Sequence, residues 1–114
     1  MNIDNYTTIG MDVSDRKIQV CVMTKSGINP KILMETTIPT TQEGLRKFLS
    51  SQDKDAPIVF ETGTHCRWMH KTAVDVGFKV YVANPCRLKM ITQSNTKNDV
   101  NDARALARFA LSDP

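Results

Sequence analysis

Apolar residues follow two different periods along the chain. Near the N-terminus they recur at every second position, as where Ile18, Val20 and Val22 alternate with polar neighbours. Such alternation predicts half-buried β-strands. Further on they recur at helical spacing, as at Leu45 and Leu49. The pattern predicts strands over 6–13, 16–24, 31–39, 58–61 and 78–83, and helices over 42–52, 65–76, 85–91 and 100–111.

The order of these elements is β-β-β-α-β-α-β-α-α, which predicts an α/β fold. Three consecutive strands with short connections form an antiparallel meander, and two further strands are reached through helical crossovers. The result is a mixed five-stranded sheet with helices on its faces, the architecture of ribonuclease H-like domains, with the fourth strand beside the first. The periodicity alone does not exclude a flavodoxin-like sheet as the alternative fold.

Composition narrows the class of protein. The 114 residues are 40% hydrophobic and 24% charged, typical of one globular domain with one core. The sequence contains neither an apolar run of membrane-spanning length nor a secretory signal pattern, so we expect a cytoplasmic protein without membrane contact. Three cysteines are an odd number for a disulfide framework. His65 and His70 lie five positions apart, which disfavours a paired-histidine metal site.

Charge is distributed unevenly between the two halves. Residues 1–61 hold seven Lys/Arg and eight Asp/Glu, whereas residues 62–114 hold eight Lys/Arg and four Asp/Glu. A basic half suits a polyanion such as nucleic acid. Taken alone, however, this charge distribution favours a solvated surface over a binding face.

Two carboxylates lie at unusual places in the predicted sheet. Asp12 ends an otherwise apolar strand that is central in this architecture, and Glu61 ends the buried run 58–60. Asp is a poor strand former, and its charge is costly to bury unless it is paired or bound to metal. The predicted topology places these two residues side by side, so the pair needs a cation or a shared proton.

Asp99 and Asp102 are spaced three apart at the start of the last predicted helix, which places them on one helix face. Taken alone they would be explained as first-turn acids that favour the helix dipole. Together with Asp12 and Glu61, they form a set of four oxygen donors. Such a set predicts a hard cation, Mg²⁺ or Mn²⁺.

Four sequence blocks stand out along the chain: GMDVS at 10–14, FETGTH at 60–65, VANP at 82–85 and KNDVNDARALAR at 97–108. In this order and spacing, they resemble the N-terminal DEDD domain of a transposase family. This is the insertion-sequence family that includes the Piv pilin-gene invertase, and its domain is similar to RuvC-type Holliday-junction resolvases. The match runs from about Ile9 to Pro114, with one departure: many members carry Lys after D-V-S, where Asp15 stands here.

The resemblance implies a function and a site. It implies a DNA transposase or site-specific recombinase whose acidic tetrad, Asp12, Glu61, Asp99 and Asp102, binds Mg²⁺ and acts on DNA phosphodiesters. Family members continue into a second domain with a serine nucleophile, so residues 1–114 are expected to be one truncated RuvC-like domain, a fragment or a decayed copy that could be inactive alone. The resemblance also implies a structured guide RNA from the element. In the full-length form we expect a homo-oligomer.

The basic half supplies candidate contacts to nucleic acid. Lys97 is the foremost candidate because it immediately precedes the predicted metal-binding turn, where a phosphate must lie. The other candidates are Arg67, Lys71, Arg87, Lys89 and Arg104.

Two other functions remain open at this stage. A non-catalytic nucleic-acid-binding and assembly module would carry the same basic half, with the acids vestigial. An actin-like or sugar-kinase-like nucleotide-binding domain shares the sheet core, but it needs a glycine-rich phosphate loop, and residues 13–16 (VSDR) contain no glycine. ATP binding would favour that last alternative.

Overall fold

The computed structural model describes residues 6–26, 29–61, 63–83 and 103–108 of the chain. Three helices and five strands lie within these ranges, and the helix expected over 85–91 lies outside them. The strands are β1 (Tyr6–Val13), β2 (Lys17–Ser26), β3 (Asn29–Pro39), β4 (Ile58–Glu61) and β5 (Val80–Ala83), and the helices are α1 (Gln42–Leu49), α2 (Cys66–Val76) and α3 (103–108).

The strands form one mixed sheet in the order β3-β2-β1-β4-β5. β1, β2 and β3 pair antiparallel as a meander, whereas β4 pairs parallel with β1 and β5 pairs parallel with β4. The predicted mixed five-stranded sheet, with the fourth strand beside the first, is therefore confirmed. Parallel pairing brings the carboxyl ends of β1 and β4 to the same edge of the sheet.

Helices cover both faces of the sheet. On one face, side chains such as Ile9, Met11 and Phe60 pack in the main core beneath α1 and α2. On the opposite face, Cys21 and Val59 lie in two smaller clusters that contain residues of α3. Side chains alternate between the two faces along each strand, so the face of a strand residue follows from that of its neighbours.

Several element ends differ from the sequence prediction for local reasons. α1 ends at Leu49 rather than at residue 52, because the hydroxyls of Ser50 and Ser51 donate to carbonyls of the last turn. β5 begins at Val80 rather than at residue 78, because the Phe78 amide donates to the Ala73 carbonyl and so caps α2. β2 and β3 extend further than predicted, because ladder hydrogen bonds tolerate polar side chains near the hairpin.

Within the described ranges, none of the helices is long and apolar enough to cross a bilayer.

Candidate active site

Asp12 lies near the carboxyl end of β1, on the face that α3 covers. Ile9 and Met11 point into the main core, so the alternate positions Thr8, Gly10 and Asp12 face the other way. The Thr8 hydroxyl donates to the Ala107 carbonyl of α3 at 2.8 Å, which confirms the direction of this face. The half-buried Asp12 carboxylate therefore lies on the α3 side of the sheet.

Glu61 occupies the matching position on β4. Phe60 packs in the main core and Val59 packs with Leu106 of α3, so Glu61, two residues after Val59, shares the α3 face. The last backbone pair between β1 and β4 joins Met11 and Phe60, and the next positions are Asp12 and Glu61. Neighbouring strands are about 4.8 Å apart, so the two carboxylates are close neighbours.

The contacts of β1 show which way α3 crosses it. Thr8 donates to the Ala107 carbonyl, whereas Gly10, two residues further along β1, lies against the Ala103 carbonyl and the Ala107 amide, slightly earlier in the helix. The N-terminal end of α3 is therefore directed toward the Asp12 end of the strand.

A bare glycine makes this approach possible. A Cβ on Gly10 would lie 2.3 Å from the Ala103 carbonyl oxygen and 2.4 Å from the Ala107 amide nitrogen. Both are backbone atoms, so no side-chain rotation could relieve the contact. Position 10 thus fixes how closely α3 packs on the sheet.

A bidentate ion pair also connects α3 to β3, the edge strand of the sheet. The Arg104 guanidinium donates from Nε and from one terminal nitrogen to the two carboxylate oxygens of Glu35 on β3, at 2.7 and 2.8 Å. This hydrogen bonding holds the pKa of Glu35 below its usual value. Beside the pair, burial and then the Glu35 charge raise the pKa of the Cys21 thiol to about 11, so this cysteine is a neutral core residue.

A cleft of about 260 Å³ opens where β1 and β4 end. Its lining includes residues Asp12 and Glu61, the turn after β1 with Asp15, and the start of α2 with His65. His65 Nε2 lies 3.0 Å from an Asp15 oxygen, and the Trp68 indole donates to His65 Nδ1 at 3.0 Å. Sequence reasoning did not identify this network; its only sequence signal was the spacing of His65 and Trp68 at one helix end.

The structure places the remaining predicted residues as follows. The side chains of Arg67 and Lys71 are exposed on α2, and Arg67 lines a second depression that shares residues 63, 64 and 66 with the cleft. Arg104 pairs with Glu35. The other predicted residues, Asp99, Asp102, Lys97, Arg87 and Lys89, lie outside the described residues.

The described part of the site offers two of the four predicted carboxylates. Within it, no group of three or more His, Cys, Asp or Glu side chains is arranged to hold a metal ion. Asp12 and Glu61 fit a hard cation through their oxygen donors. The other two predicted carboxylates, Asp99 and Asp102, precede α3 in the sequence.

Comparison with known proteins places this geometry in a class. RuvC of T. thermophilus in complex with a Holliday junction substrate superimposes with a TM-score of 0.62, at 11% identity over 90% of each chain. The Thermus thermophilus RuvC structure gives 0.63, at 12% identity over 89% of this chain and 90% of that chain. The fold is therefore RuvC-like, within the ribonuclease H-like class.

The family follows from the sequence match. Residues 9–114 match the family of DEDD transposases of the IS110 type, and the chain belongs to that transposase family. Among curated protein sequences, none matches at a significant level.

The Gly10 contact generates a stability prediction. Gly10→Ala should lower the free energy of unfolding by about 1–3 kcal/mol, the usual cost of forcing extra atoms into a packed interior. Urea unfolding measures the change. Gly63→Ala is the matched control, because a Cβ at position 63 would meet nothing within 4 Å. Equal effects at the two positions would contradict the close approach of α3.

The Glu35–Arg104 pair generates a pH prediction. The lowered pKa means that ionised Glu35 stabilises the folded state above its ordinary value of 4.5, and that this contribution is lost as the pH falls through the lower folded value. Glu35→Gln should therefore destabilise the chain at neutral pH, with the difference from wild type shrinking in acid. Urea titrations at both pH values measure it. A difference that grew in acid would contradict the assignment.

Proposed function

We propose that the chain is the metal-dependent catalytic domain of a DNA transposase, with Mg²⁺ or Mn²⁺ bound by Asp12, Glu61, Asp99 and Asp102. Membership of the transposase family and the RuvC-like fold support a nuclease or transposase role. The tetrad, its metal and its action on DNA phosphodiesters are the finer parts of the proposal.

The observation that carries the proposal is the direction of α3. The backbone of α3 at Ala103 and Ala107 packs against Gly10, two positions before Asp12 and on the same face. The N-terminal end of α3 is directed toward the Asp12 end of β1. In the sequence, Asp102 immediately precedes Ala103 and Asp99 stands three positions earlier, which supports a role for both in this site.

The chemistry of the donors favours a hard cation. Carboxylate oxygens are the ligands that Mg²⁺ and Mn²⁺ prefer, and the two nitrogens of His65 are engaged by Asp15 and Trp68. A divalent cation bound there would polarise a phosphodiester and stabilise charge on the reacting oxygens. The protein's own part is to hold the carboxylates in place on rigid strands at the mouth of the cleft.

Nucleic acid would approach along the basic side of the cleft. Arg67 and Lys71 project from α2 on the chain segment that carries the positive charge excess, and Arg67 adjoins the cleft mouth. RuvC, which shares the fold, has been solved with a DNA junction. Lys97, Arg87 and Lys89 remain further candidates, whereas Arg104 would first have to leave Glu35.

Other parts of the hypothesis extend from the resemblance. We propose a cytoplasmic, homo-oligomeric full-length protein with a second, serine-bearing domain and a structured guide RNA. A non-catalytic binding module remains the competing function, and the metal experiment separates the two.

Divalent cations should stabilise the folded chain by mass action, by about 2.7 kcal/mol at a concentration one hundred times the dissociation constant. Melting temperatures with Mg²⁺ or Mn²⁺ measure the gain, which Asp12→Asn should abolish. The double variant Asp99→Asn/Asp102→Asn should lose the gain as well, while its metal-free form loses little stability because like-charge crowding is relieved. Asp55→Asn, in the exposed loop before β4, is the matched control. Full stabilisation of the Asp99/Asp102 variant would return those residues to a helix-end role and favour the non-catalytic module.

DNA binding should be weak, indifferent to sequence and strongly dependent on salt, because it would rest on phosphate contacts. Removing the Arg67 and Lys71 charges together should lower the slope of log affinity against log salt by about one for each lost contact. Fluorescence anisotropy with a labelled duplex measures it. Lys47→Ala on α1 is the matched control for an exposed cation. An affinity independent of salt would refute the proposed interface.

A further inference from the structure

A side-chain contact joins the two walls of the cleft. Asp15 lies in the turn between β1 and β2, and His65 precedes α2 after the loop that follows β4. His65 Nε2 and an Asp15 carboxylate oxygen are 3.0 Å apart, although the residues are fifty positions apart in sequence. The contact therefore connects the loop after Asp12 with the loop after Glu61.

Trp68 determines how His65 takes part. The indole nitrogen is a donor only, and it donates to His65 Nδ1 at 3.0 Å. Nδ1 must therefore offer its lone pair, so the ring proton lies on Nε2 and is donated to Asp15. The His65 and Trp68 rings also meet edge to face, with centroids 5.9 Å apart at 85°. In this arrangement neither ring nitrogen is available to bind a metal or to accept a proton from substrate.

The contact lies just beyond the carboxylates. The β1–β4 backbone pairing ends at Met11 and Phe60, and Asp12 and Glu61 follow immediately. The bridge from Asp15 to His65 then connects the same two chain segments again. Along both chain segments, Asp12 and Glu61 thus lie between the last backbone pair and the side-chain contact, which we call the tie.

Both ends of this tie are anchored. In the β1–β2 turn, the Ser14 hydroxyl donates to the Lys17 carbonyl at 2.8 Å, and the Thr40 hydroxyl donates to the Ser14 carbonyl at 2.7 Å. On the other wall, the His65 carbonyl accepts the Met69 amide of α2. The tie therefore joins two fixed points rather than two loose loops.

We propose that His65 is a positioning residue that, with Asp15, sets the separation of Asp12 and Glu61 for a divalent cation. The inference rests on the proposed metal function. Two neighbouring carboxylates repel each other, and Asp12 and Glu61 lie past the final pair of the β1–β4 ladder, so that only their outer neighbours β2 and β5 hold them by backbone pairing. A bridge across the two loops opposes that separation and keeps the oxygens close enough to share a cation.

Because Asp15 is highly exposed, an effect of the tie on metal binding can be distinguished from an effect on the stability of the whole fold. Its side chain is 91% exposed, so its contribution to the free energy of unfolding is small. Loss of the tie should therefore change metal affinity much more than the melting temperature. A purely structural role would change both together.

The test is Mn²⁺ binding to the 114-residue chain, measured by electron paramagnetic resonance well below the melting temperature. Asp15→Ala and His65→Ala should each weaken Mn²⁺ binding about three- to five-fold, the effect expected of one exposed charged contact. The double variant should be no weaker than either single variant, because each breaks the same tie. Asp15→Asn keeps an oxygen acceptor for His65 Nε2 and should remain within about two-fold of wild type. Asp55→Ala is the matched control for the loss of an exposed carboxylate.

Three outcomes would overturn the proposal. Wild-type affinity in Asp15→Ala would mean that the tie does not position the carboxylates. Additive losses in the double variant would mean that Asp15 and His65 act separately. An equal loss in Asp15→Asn would mean that the Asp15 charge itself, rather than the tie, acts on the cation.

A second readout separates this proposal from the proposed metal function. Amide hydrogen exchange at Ser14 and Cys66, whose amides donate to the Lys17 and Gly63 carbonyls, reports opening of the two walls in the metal-free chain. It should be faster in Asp15→Ala and unchanged in Asp15→Asn. Absence of Mn²⁺ binding to the wild type would refute the metal function, and exchange would then report whether the tie itself exists. Unchanged exchange in Asp15→Ala would refute the tie whatever the metal result.

Discussion

The close packing of α3 on the sheet is the constraint on which the site depends. A helix can approach β1 this closely only where a strand residue lacks a side chain, and Gly10 is that residue. The Thr8 hydroxyl then reaches a helix carbonyl, and Arg104 reaches Glu35 on the far strand. Together these contacts set the direction of α3 on the sheet.

The carboxylates depend on a second constraint, which is electrostatic. Asp12 and Glu61 are brought together by parallel pairing of β1 and β4, and their like charges oppose that approach. Two features of the fold oppose their separation. The β1–β4 backbone ladder precedes the two residues in the chain, and the contact between Asp15 and His65 follows them. Under the proposed metal function, carboxylates held in this way would lower the cost of binding a cation.

The sequence was informative wherever local pattern governs structure. Alternation and helical spacing predicted the strand order, because β1 and β4 are short apolar runs with clear ends, and this placed Asp12 beside Glu61. The contacts that orient α3 could not be predicted in this way. Glu35 and Arg104, or Asp15 and His65, are far apart in sequence and nothing in their local pattern marks them as partners. Gly10 likewise gave no signal of its role, since only the helix that packs on it requires a missing side chain.

The most direct test of the account is a crystal structure of the chain grown with Mn²⁺, in which anomalous scattering locates the ion. The account predicts a peak at the carboxyl ends of β1 and β4, with oxygens of Asp12 and Glu61 within about 2.2 Å and further carboxylate ligands from Asp99 and Asp102. A peak held by other residues, or an empty site at saturating Mn²⁺, would contradict it.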